Sequence, residues 1–268
     1  MSLVERVNFG WVPQLPDHRD RMLAMPDMMA AALPPKVDLR SKHTFAVLDQ
    51  GQLGSCVAHA VGSAIEFAQH TRPNDANVPD FLENDRKFPT SRLFLYYEAR
   101  KAIGMVSEDS GCVIRDALRV AYNMGVPRET GWKYDIAKYA KAPPKHSYKS
   151  APFHKITSYK AVPVSVSGVK AALAQGFPVV FGVAVFNSFF TGDGNIPMPN
   201  YSDQVIGGHA MLAVGYDDST NRFDILNSWG VGWGVNGFGT IPYNYLGNPM
   251  LGDDYWTLQD EQYKERME

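Results

Sequence analysis

Hydrophobic residues recur at helical spacing in three stretches of the first half of the chain. Between Cys56 and His70 the apolar positions 57, 61, 64, 65 and 68 fall on one face of a helix. A second helix is predicted after Ser91, a favourable N-cap residue, and it ends at Gly104. A third is predicted from Val113 to Met124, with Gly125 ending it. The first half is therefore expected to form a helical unit.

Short runs of β-branched and aromatic residues replace this pattern after about residue 145. Pro178–Phe181 is typical of a buried strand, and Phe238–Tyr243 indicates another. The runs Ala210–Tyr216 and Arg222–Leu226 flank the polar turn 217–221 and predict a hairpin. Helices followed by strands predict an α+β fold with two lobes.

The first 35 residues form a third region, which prolines interrupt repeatedly. We expect an arm there, with room for a short helix over Arg21–Ala32. The chain is accordingly divided into an arm at residues 1–32, a helical lobe at 33–145 and a β lobe at 146–268.

Composition excludes several classes of protein. Hydrophobic residues occupy 45% and charged residues 20% of the 268 positions, which is typical of a globular chain. The net charge is -2, so no basic excess favours nucleic acid. No run approaches about 18 apolar residues, which argues against a membrane span. We expect neither a nucleic-acid nor a membrane partner, and we expect a monomer.

The beginning of the chain bears on its compartment. Residues 1–12 lack the apolar core of a secretory signal peptide. The expectation is a cytoplasmic protein, or one that is delivered by a route without a visible signal peptide. The two cysteines, Cys56 and Cys112, are too few for a disulfide framework.

The run DQGQLGSCVA, from Asp49 to Ala58, carries the first candidate chemistry. It delivers Cys56 to the first turn of a predicted helix, where the helix dipole and free N–H groups favour a thiolate. A thiolate is the form of cysteine that acts as a nucleophile. Taken alone, the run also fits an inert cysteine packed in a core.

A second cluster changes that balance. The predicted hairpin brings His209, at the start of one strand, near Asn227, at the end of the other. An amide oxygen that accepts from one imidazole nitrogen leaves the other nitrogen to face a thiol, as in a Cys–His–Asn triad. Trp229 is placed to shield this hydrogen bond from water.

Further motifs carry a resemblance to a known family. Gln50 precedes Cys56 by six residues, residues 227–234 read NSWGVGWG, and residues 33–40 read LPPKVDLR. Together with Cys56 and His209, these motifs resemble the papain-like cysteine peptidases, the family of the cathepsins, over residues 33–257. The short arm is similar to that of bacterial and archaeal-type members.

This resemblance implies a papain-like fold, with a helical lobe, an antiparallel β-barrel-like lobe and an active-site cleft between them. It also implies that Cys56 is the nucleophile, that His209 is first a base and then an acid, and that Asn227 orients the imidazole. Gln50 and the N–H of Cys56 would hold the oxyanion. The implied function is endopeptidase hydrolysis of protein or peptide substrates through an acyl-enzyme thioester.

The resemblance further implies which residues line the cleft. The backbone of Cys112 would pair with an extended substrate on the non-primed side. Small residues around the pocket for the second residue before the scissile bond predict a bulky apolar preference there. The expected substrate-binding residues are Gly111, Cys112, Gly182, Gly207, Gly208, Ala210 and Trp229.

Two departures from the family pattern stand out. Leu53 occupies a position where members often have a disulfide cysteine, and Asp109 lies in the region of its partner. A bridge between Cys112 and Cys56 would consume the nucleophile, so Cys112 is predicted to be a free thiol beside the cleft, too far from Cys56 to bridge it. The alternative is a small buried residue that caps the third helix. The arm is too short for an independent core, and its effect on the cleft stays open.

Other functions share this pattern. They are a thiol-dependent deamidase or acyltransferase that modifies a protein, and a catalytically weak binding module with a retained cleft. No cofactor or metal is expected, since Cys56 and His59 lack a second pair of zinc ligands. The glycines at 232–237 have the spacing of a dinucleotide-binding motif. That motif requires a helix after it, whereas a strand is predicted here, so we do not expect a dinucleotide site.

Overall fold

The computed structural model of the protein describes residues 8–24, 33–71 and 87–259. Within these residues, the helical lobe contains the three predicted helices: α1 over Cys56–Thr71, α2 over Arg92–Ala102 and α3 over Ile114–Asn123. Ser91 caps α2, because its hydroxyl oxygen accepts from the N–H of Phe94 at 3.4 Å. Gly125 follows α3 with φ +82°, a conformation that glycine adopts without strain.

Seven strands of the described chain form one antiparallel sheet in the order β2-β7-β3-β4-β5-β6, with β1 paired to β4. The strands are β1 Lys36–Asp38, β2 Ser158–Ala161, β3 Val179–Phe186, β4 Val205–Asp217, β5 Arg222–Leu226, β6 Phe238–Pro242 and β7 Gly252–Gln259. The shorter helices are α4 Lys145–Ser150, α5 Val166–Ala174 and α6 Tyr243–Leu246. This confirms the α+β class and the predicted hairpin.

The β lobe differs from the expected barrel-like form. Pairing of β4 with β3 ends at Ala213, and β1 takes the positions from Gly215 to Asp217. The outer strands β2 and β6 do not pair with each other within the described residues, so the sheet stays open. Because β1 belongs to this sheet, residues 36–38 lie on the β side of the molecule, although they were assigned to the helical lobe.

The main core lies between α1 and the sheet. Val57, Val61, Ala64 and Ile65 on the predicted apolar face of α1 are all buried, and the helix packs along β4. This packing sets the N-terminus of α1 against the strand that carries His209. None of the described helices is long and apolar enough to span a bilayer.

The arm is extended where it is described. The N–H of Leu23 donates to the carbonyl oxygen of Ala161 at 2.8 Å, and the N–H of Ala161 donates to that of Arg21 at 2.8 Å. The arm therefore pairs with β2, and residues 21–24 do not form the predicted helix because β2 offers them ladder hydrogen bonds. The remainder of that prediction, residues 25–32, lies outside the described residues.

Candidate active site

Cys56 is the first residue of α1 and is completely buried. The loop before it turns at Gly51, whose φ of +58° favours glycine. Backbone N–H groups from three parts of the molecule, Val57 on α1, Ala210 on β4 and Gly10 on the arm, act to lower the pKa of its thiol. The cysteine thus lies where the helical lobe, the sheet and the arm meet.

His209 and Asn227 are brought together by the β4–β5 hairpin. Nε2 of His209 lies 2.8 Å from Oδ1 of Asn227, and the oxygen fixes this nitrogen as the N–H donor. The other nitrogen, Nδ1, is buried without a hydrogen-bond partner among the described residues. Trp229 stacks on the imidazole with ring centroids 4.9 Å apart. The indole therefore covers this pair, as the sequence predicts.

Ser228 connects the two halves of the site and was not singled out from the sequence. Its hydroxyl donates to Oε1 of Gln50 at 2.6 Å, and its carbonyl oxygen accepts from the N–H of Gln50 at 2.9 Å. Its N–H donates to Oδ1 of Asn227 at 2.8 Å. One residue therefore sets the orientation of the Gln50 amide relative to Asn227, with its Nε2 turned toward the cleft.

Burial determines the protonation of the thiol and the imidazole. Removal from water raises the pKa of Cys56 to about 11, although the N–H groups of Ala210 and Gly10 partly oppose this. Removal from water also lowers the pKa of His209 to about 4, against its hydrogen bond with Asn227. Near pH 7 this conformation favours a neutral thiol and a neutral imidazole. Burial therefore disfavours the predicted thiolate in this conformation, because desolvation outweighs the helix N–H groups.

The beginning of the described arm occupies the amide of Gln50. Nε2 of Gln50 donates to the backbone carbonyl oxygen of Asn8 at 2.9 Å. The Asn8 side chain donates to Oδ2 of Asp109 at 2.6 Å, and Asp109 also accepts from the N–H of Gly54 at 3.0 Å. Asp109 therefore joins the arm to the loop beside Leu53, in the region where the family often has a disulfide.

Residues 10–12 pair with both walls of the cleft. On the helical wall, the N–H of Cys112 donates to the carbonyl oxygen of Gly10 at 2.8 Å. The carbonyl oxygen of Cys112 then accepts from the N–H of Val12 at 3.2 Å. On the β wall, the N–H of Trp11 donates to the carbonyl oxygen of Gly208 at 3.0 Å. The arm thus makes the backbone pairs that Cys112 was predicted to make with a substrate.

Glycines on the β wall make room for the aromatic side chains of the arm. A Cβ on Gly182 would lie 2.0 Å from the Trp11 ring, and one on Gly207 would lie 2.6 Å from the Phe9 ring. Ala210 pairs with Gly182 across the two strands. The predicted cleft residues that lie along or beside the arm are Gly111, Cys112, Gly182, Gly207, Gly208 and Ala210.

Asp254 belongs to this region, and the sequence analysis missed it. Its Oδ2 accepts from Nε1 of Trp11 at 2.9 Å and from the N–H of Gln14 at 3.1 Å. Burial raises the pKa of Asp254 to about 7. No sequence signal marks this residue, because Trp11 lies 243 positions away from it.

Tyr134 supports the loop that precedes Cys56 and was also missed. Its hydroxyl donates to the carbonyl oxygen of Gln50 at 2.9 Å and lies 2.6 Å from Oγ of Ser55. The guanidinium of Arg92 lies 4.8 Å from the centre of its ring. Tyr134 therefore ties together the two ends of the loop 50–55.

His59 is buried beside the loop that precedes Cys56. Its Nδ1 lies 3.0 Å from the carbonyl oxygen of Ser55, and burial lowers its pKa to about 3. The parts of the chain that the structure describes contain no group of three or more His, Cys, Asp or Glu that could hold a metal ion. Both cysteines are free thiols, as predicted for Cys112.

Comparisons with known proteins identify the family of this chain. The sequence profile of the papain family cysteine protease matches residues 105–250, a range that includes His209 and Asn227. An uncharacterized peptidase C1-like protein of Acanthamoeba polyphaga mimivirus is 34% identical over 280 residues, covering 94% of this chain and 87% of that protein. The chain belongs to the papain family of cysteine proteases.

The fold comparison extends over nearly the whole chain. Xylellain, a cysteine protease from Xylella fastidiosa, superposes with a TM-score of 0.85 at 38% identity, covering 94% of this chain and 96% of that one. Cathepsin J of Mus musculus is 28% identical over 219 residues, which is 78% of this chain and 60% of that protein. The two-lobe papain-like fold is thereby confirmed.

Proposed function

We propose that this protein is a cysteine endopeptidase that hydrolyses peptide bonds in protein or peptide substrates. His209 removes the thiol proton as the Cys56 sulfur attacks the scissile carbonyl carbon, and then gives that proton to the leaving amine. Water hydrolyses the resulting thioester, with His209 acting as the base, and releases the acid. The 2.8 Å hydrogen bond to Asn227 holds the imidazole in the tautomer that these proton transfers require.

One observation carries this proposal: a peptide carbonyl oxygen, that of Asn8, lies 2.9 Å from the Nε2 of Gln50. Two residues further along the arm, the backbone N–H of Gly10 is one of the donors that lower the pKa of the Cys56 thiol. The cleft thus holds an extended peptide against both the amide and the thiol. In a substrate complex, the Gln50 amide and the N–H of Cys56 would donate to the oxygen on which negative charge develops.

The same observation requires residues 8–12 to leave the cleft before a substrate enters. The arm runs from Gln50 toward Cys112, and its bridge with the Cys112 segment is parallel. A substrate whose acyl portion lies at Cys112 would run in the opposite direction. The arm therefore blocks the site without presenting one of its own bonds for cleavage.

Passage of an internal stretch of chain through the cleft favours an endopeptidase. Seven residues of sequence precede Asn8, and the arm continues past Val12 to pair with β2 near Ala161. The groups at Gln50 and Cys112 bind the arm through its backbone and not through a chain terminus. A site of this kind accepts the middle of a polypeptide.

A labelled peptidyl epoxide and a peptide library test the function. We expect the epoxide to modify Cys56 and not Cys112, and we expect new peptide termini that disappear in the Cys56→Ala variant. Release of ammonia or transfer of the acyl group, without cleavage, would show a deamidase or an acyltransferase instead. Tight peptide binding with no labelled Cys56 would show a binding module.

A further inference from the structure

The arm places the indole of Trp11 in a side-chain pocket on the β wall of the cleft. The ring occupies space that side chains at Gly182 and Gly208 would fill, with hypothetical Cβ atoms 2.0 and 2.9 Å from its carbons. At the far end of the ring, Nε1 donates to Oδ2 of Asp254 at 2.9 Å. The pocket is thus lined by glycine backbone at its sides and ends at a carboxylate.

The carboxylate depends on the arm for its hydrogen bonds. Asp254 is only 3% exposed, and both hydrogen bonds to its side chain within the described chain come from the arm, from Trp11 and the N–H of Gln14. When the arm leaves, the carboxylate loses one or both donors while it stays confined by β7 and its neighbours. A buried acceptor without a donor is costly, and the cost is greater for a charged group.

We propose that Asp254 makes this pocket select peptide side chains that carry an N–H donor at their far end, with arginine and tryptophan preferred over leucine and phenylalanine. This inference rests on the proposed peptidase function and names its substrate class. A guanidinium or an indole replaces the donor that Trp11 supplies, whereas an apolar side chain of similar bulk leaves the carboxylate unpaired. The pocket thus accepts a bulky side chain, as predicted, but also requires a hydrogen-bond donor at the end of that side chain.

The charges around the pocket favour a basic side chain. Asp253 precedes Asp254, and its Oδ1 accepts from the N–H of Asp254 at 2.8 Å, so a second acidic residue is adjacent. The positive charge of Arg115 also acts on Asp254, but its guanidinium donates to the carbonyl oxygen of Leu15 at 3.1 Å and is paired with Asp20. Both partners lie beyond residues 8–12, so Arg115 stays engaged when only that stretch moves.

Matched peptides and epoxides that differ at the second residue before the scissile bond test the proposal. The residue is Arg, Trp, Leu or Phe, and the full-length protein is assayed at pH 8. The ratio of two rates on one protein does not depend on how often the arm opens, because the open fraction multiplies both. We expect Arg to exceed Leu and Trp to exceed Phe by about tenfold or more in kcat/KM and in Cys56 labelling.

The Asp254→Asn variant gives the sharpest comparison. Asp254 has φ +59°, and asparagine tolerates that conformation well and keeps an acceptor oxygen without the charge. We expect this variant to lose most of the Arg preference and to keep part of the Trp preference. Asp253→Asn, which removes only the neighbouring charge and keeps Asp254, should lose a small part of the Arg preference and keep the Trp preference. A wild-type preference for Leu and Phe, or an Arg preference that survives Asp254→Asn, would overturn the proposal.

The two readouts separate this inference from the proposed function. Cleavage or labelling with an apolar preference would overturn the role of Asp254 and leave the peptidase intact. Labelling of Cys56 without cleavage would contradict the peptidase, while the labelling ratios still decide the role of Asp254. No labelling by any probe, even after the arm is loosened by Trp11→Ala, would overturn both.

Discussion

The side-chain amide of Gln50 donates to the backbone carbonyl oxygen of Asn8 at 2.9 Å. The group proposed to stabilise an oxyanion is thus engaged by the protein's own backbone. Pairing of Gly10 with Cys112 and of Trp11 with Gly208 extends this contact along the cleft. The proposed activity consequently depends on an equilibrium between a closed arm and an open cleft.

Loosening the arm should expose the nucleophile. A Cβ on Gly10 would lie 1.8 Å from the carbonyl oxygen of Gly54, so Gly10→Ala cannot keep the arm in its present position. We expect labelling of Cys56 by a peptidyl epoxide to accelerate by about tenfold or more, since a larger open fraction raises the apparent affinity in proportion. The rate is measured by mass spectrometry of the Cys56 peptide.

Gly192→Ala is the matched control, because a Cβ there meets nothing within 4 Å. It should label at the wild-type rate. Equal labelling of Gly10→Ala and wild type would show that the arm does not limit access to Cys56.

The pH dependence of alkylation should follow the arm. In the closed form, burial raises the pKa of Cys56 to about 11, so reaction with iodoacetamide should increase up to strongly alkaline pH. Opening returns water to the site, which removes the desolvation that disfavours the thiolate. We expect the inflection in the plot of Cys56 alkylation rate against pH to lie at lower pH in Gly10→Ala than in the wild type. Superimposable profiles for the two proteins would contradict this cause of the shift.

The proposed catalytic roles predict an order of losses in kcat/KM. Cys56→Ala and His209→Ala should lose the most, because these residues make and break bonds. Gln50→Ala should lose about 2.7–4 kcal/mol of transition-state stabilisation, the range for one oxyanion donor. Because Gln50 also holds the arm, the series is measured in the Gly10→Ala background.

The exposed Gln52, on the same loop, provides the control for that series. Gln52→Ala should retain the activity of its parent. A Gln50→Ala protein with unchanged kcat/KM would remove Gln50 from the proposed oxyanion site.

Removing the hydroxyl of Tyr134 should weaken the loop before the nucleophile. Tyr134→Phe leaves the Gln50 carbonyl oxygen and the Ser55 hydroxyl without their shared partner. We expect the free energy of unfolding to fall by about 1–3 kcal/mol, measured by urea denaturation. Tyr122→Phe, at a side chain that is 45% exposed, should change it little. Similar effects of the two substitutions would argue against a special role for this contact.

Asp254 should make stability fall as the pH rises. Its pKa is raised to about 7 in the folded protein, whereas an unfolded aspartate has a pKa of about 3.9. Between these two pH values the Asp254 carboxyl is protonated in the folded state and ionised in the unfolded state. The stability that this bound proton gives the folded state declines as the pH rises and is lost above about 7. The free energy of unfolding of the wild type, minus that of Asp254→Asn, should therefore be lower at pH 8 than at pH 4. A relative stability that is constant or rises with pH would contradict burial as the cause.

Local sequence determined the parts of this protein whose contacts lie within a few residues. Ser91 predicts the start of α2 because its side chain caps an N–H only three residues away. The turn at 217–221 brings His209 and Asn227 together because a hairpin register follows from its turn. The helix position of Cys56 follows from the glycine-rich loop and the apolar face behind it.

Only the tertiary structure decided what fills the cleft and what ends its pocket. Asn8 meets Gln50 across 42 positions, and Trp11 meets Asp254 across 243. These contacts require β7 to pair with β3 in one register and the arm to lie between the helical wall and the β wall of the cleft. Neither the hydrophobic periodicity of the sequence nor its capping residues predict such a register. Desolvation of Cys56 likewise comes from residues distant in sequence, which is why the helix N-terminus predicted a thiolate and the packed site favours a thiol.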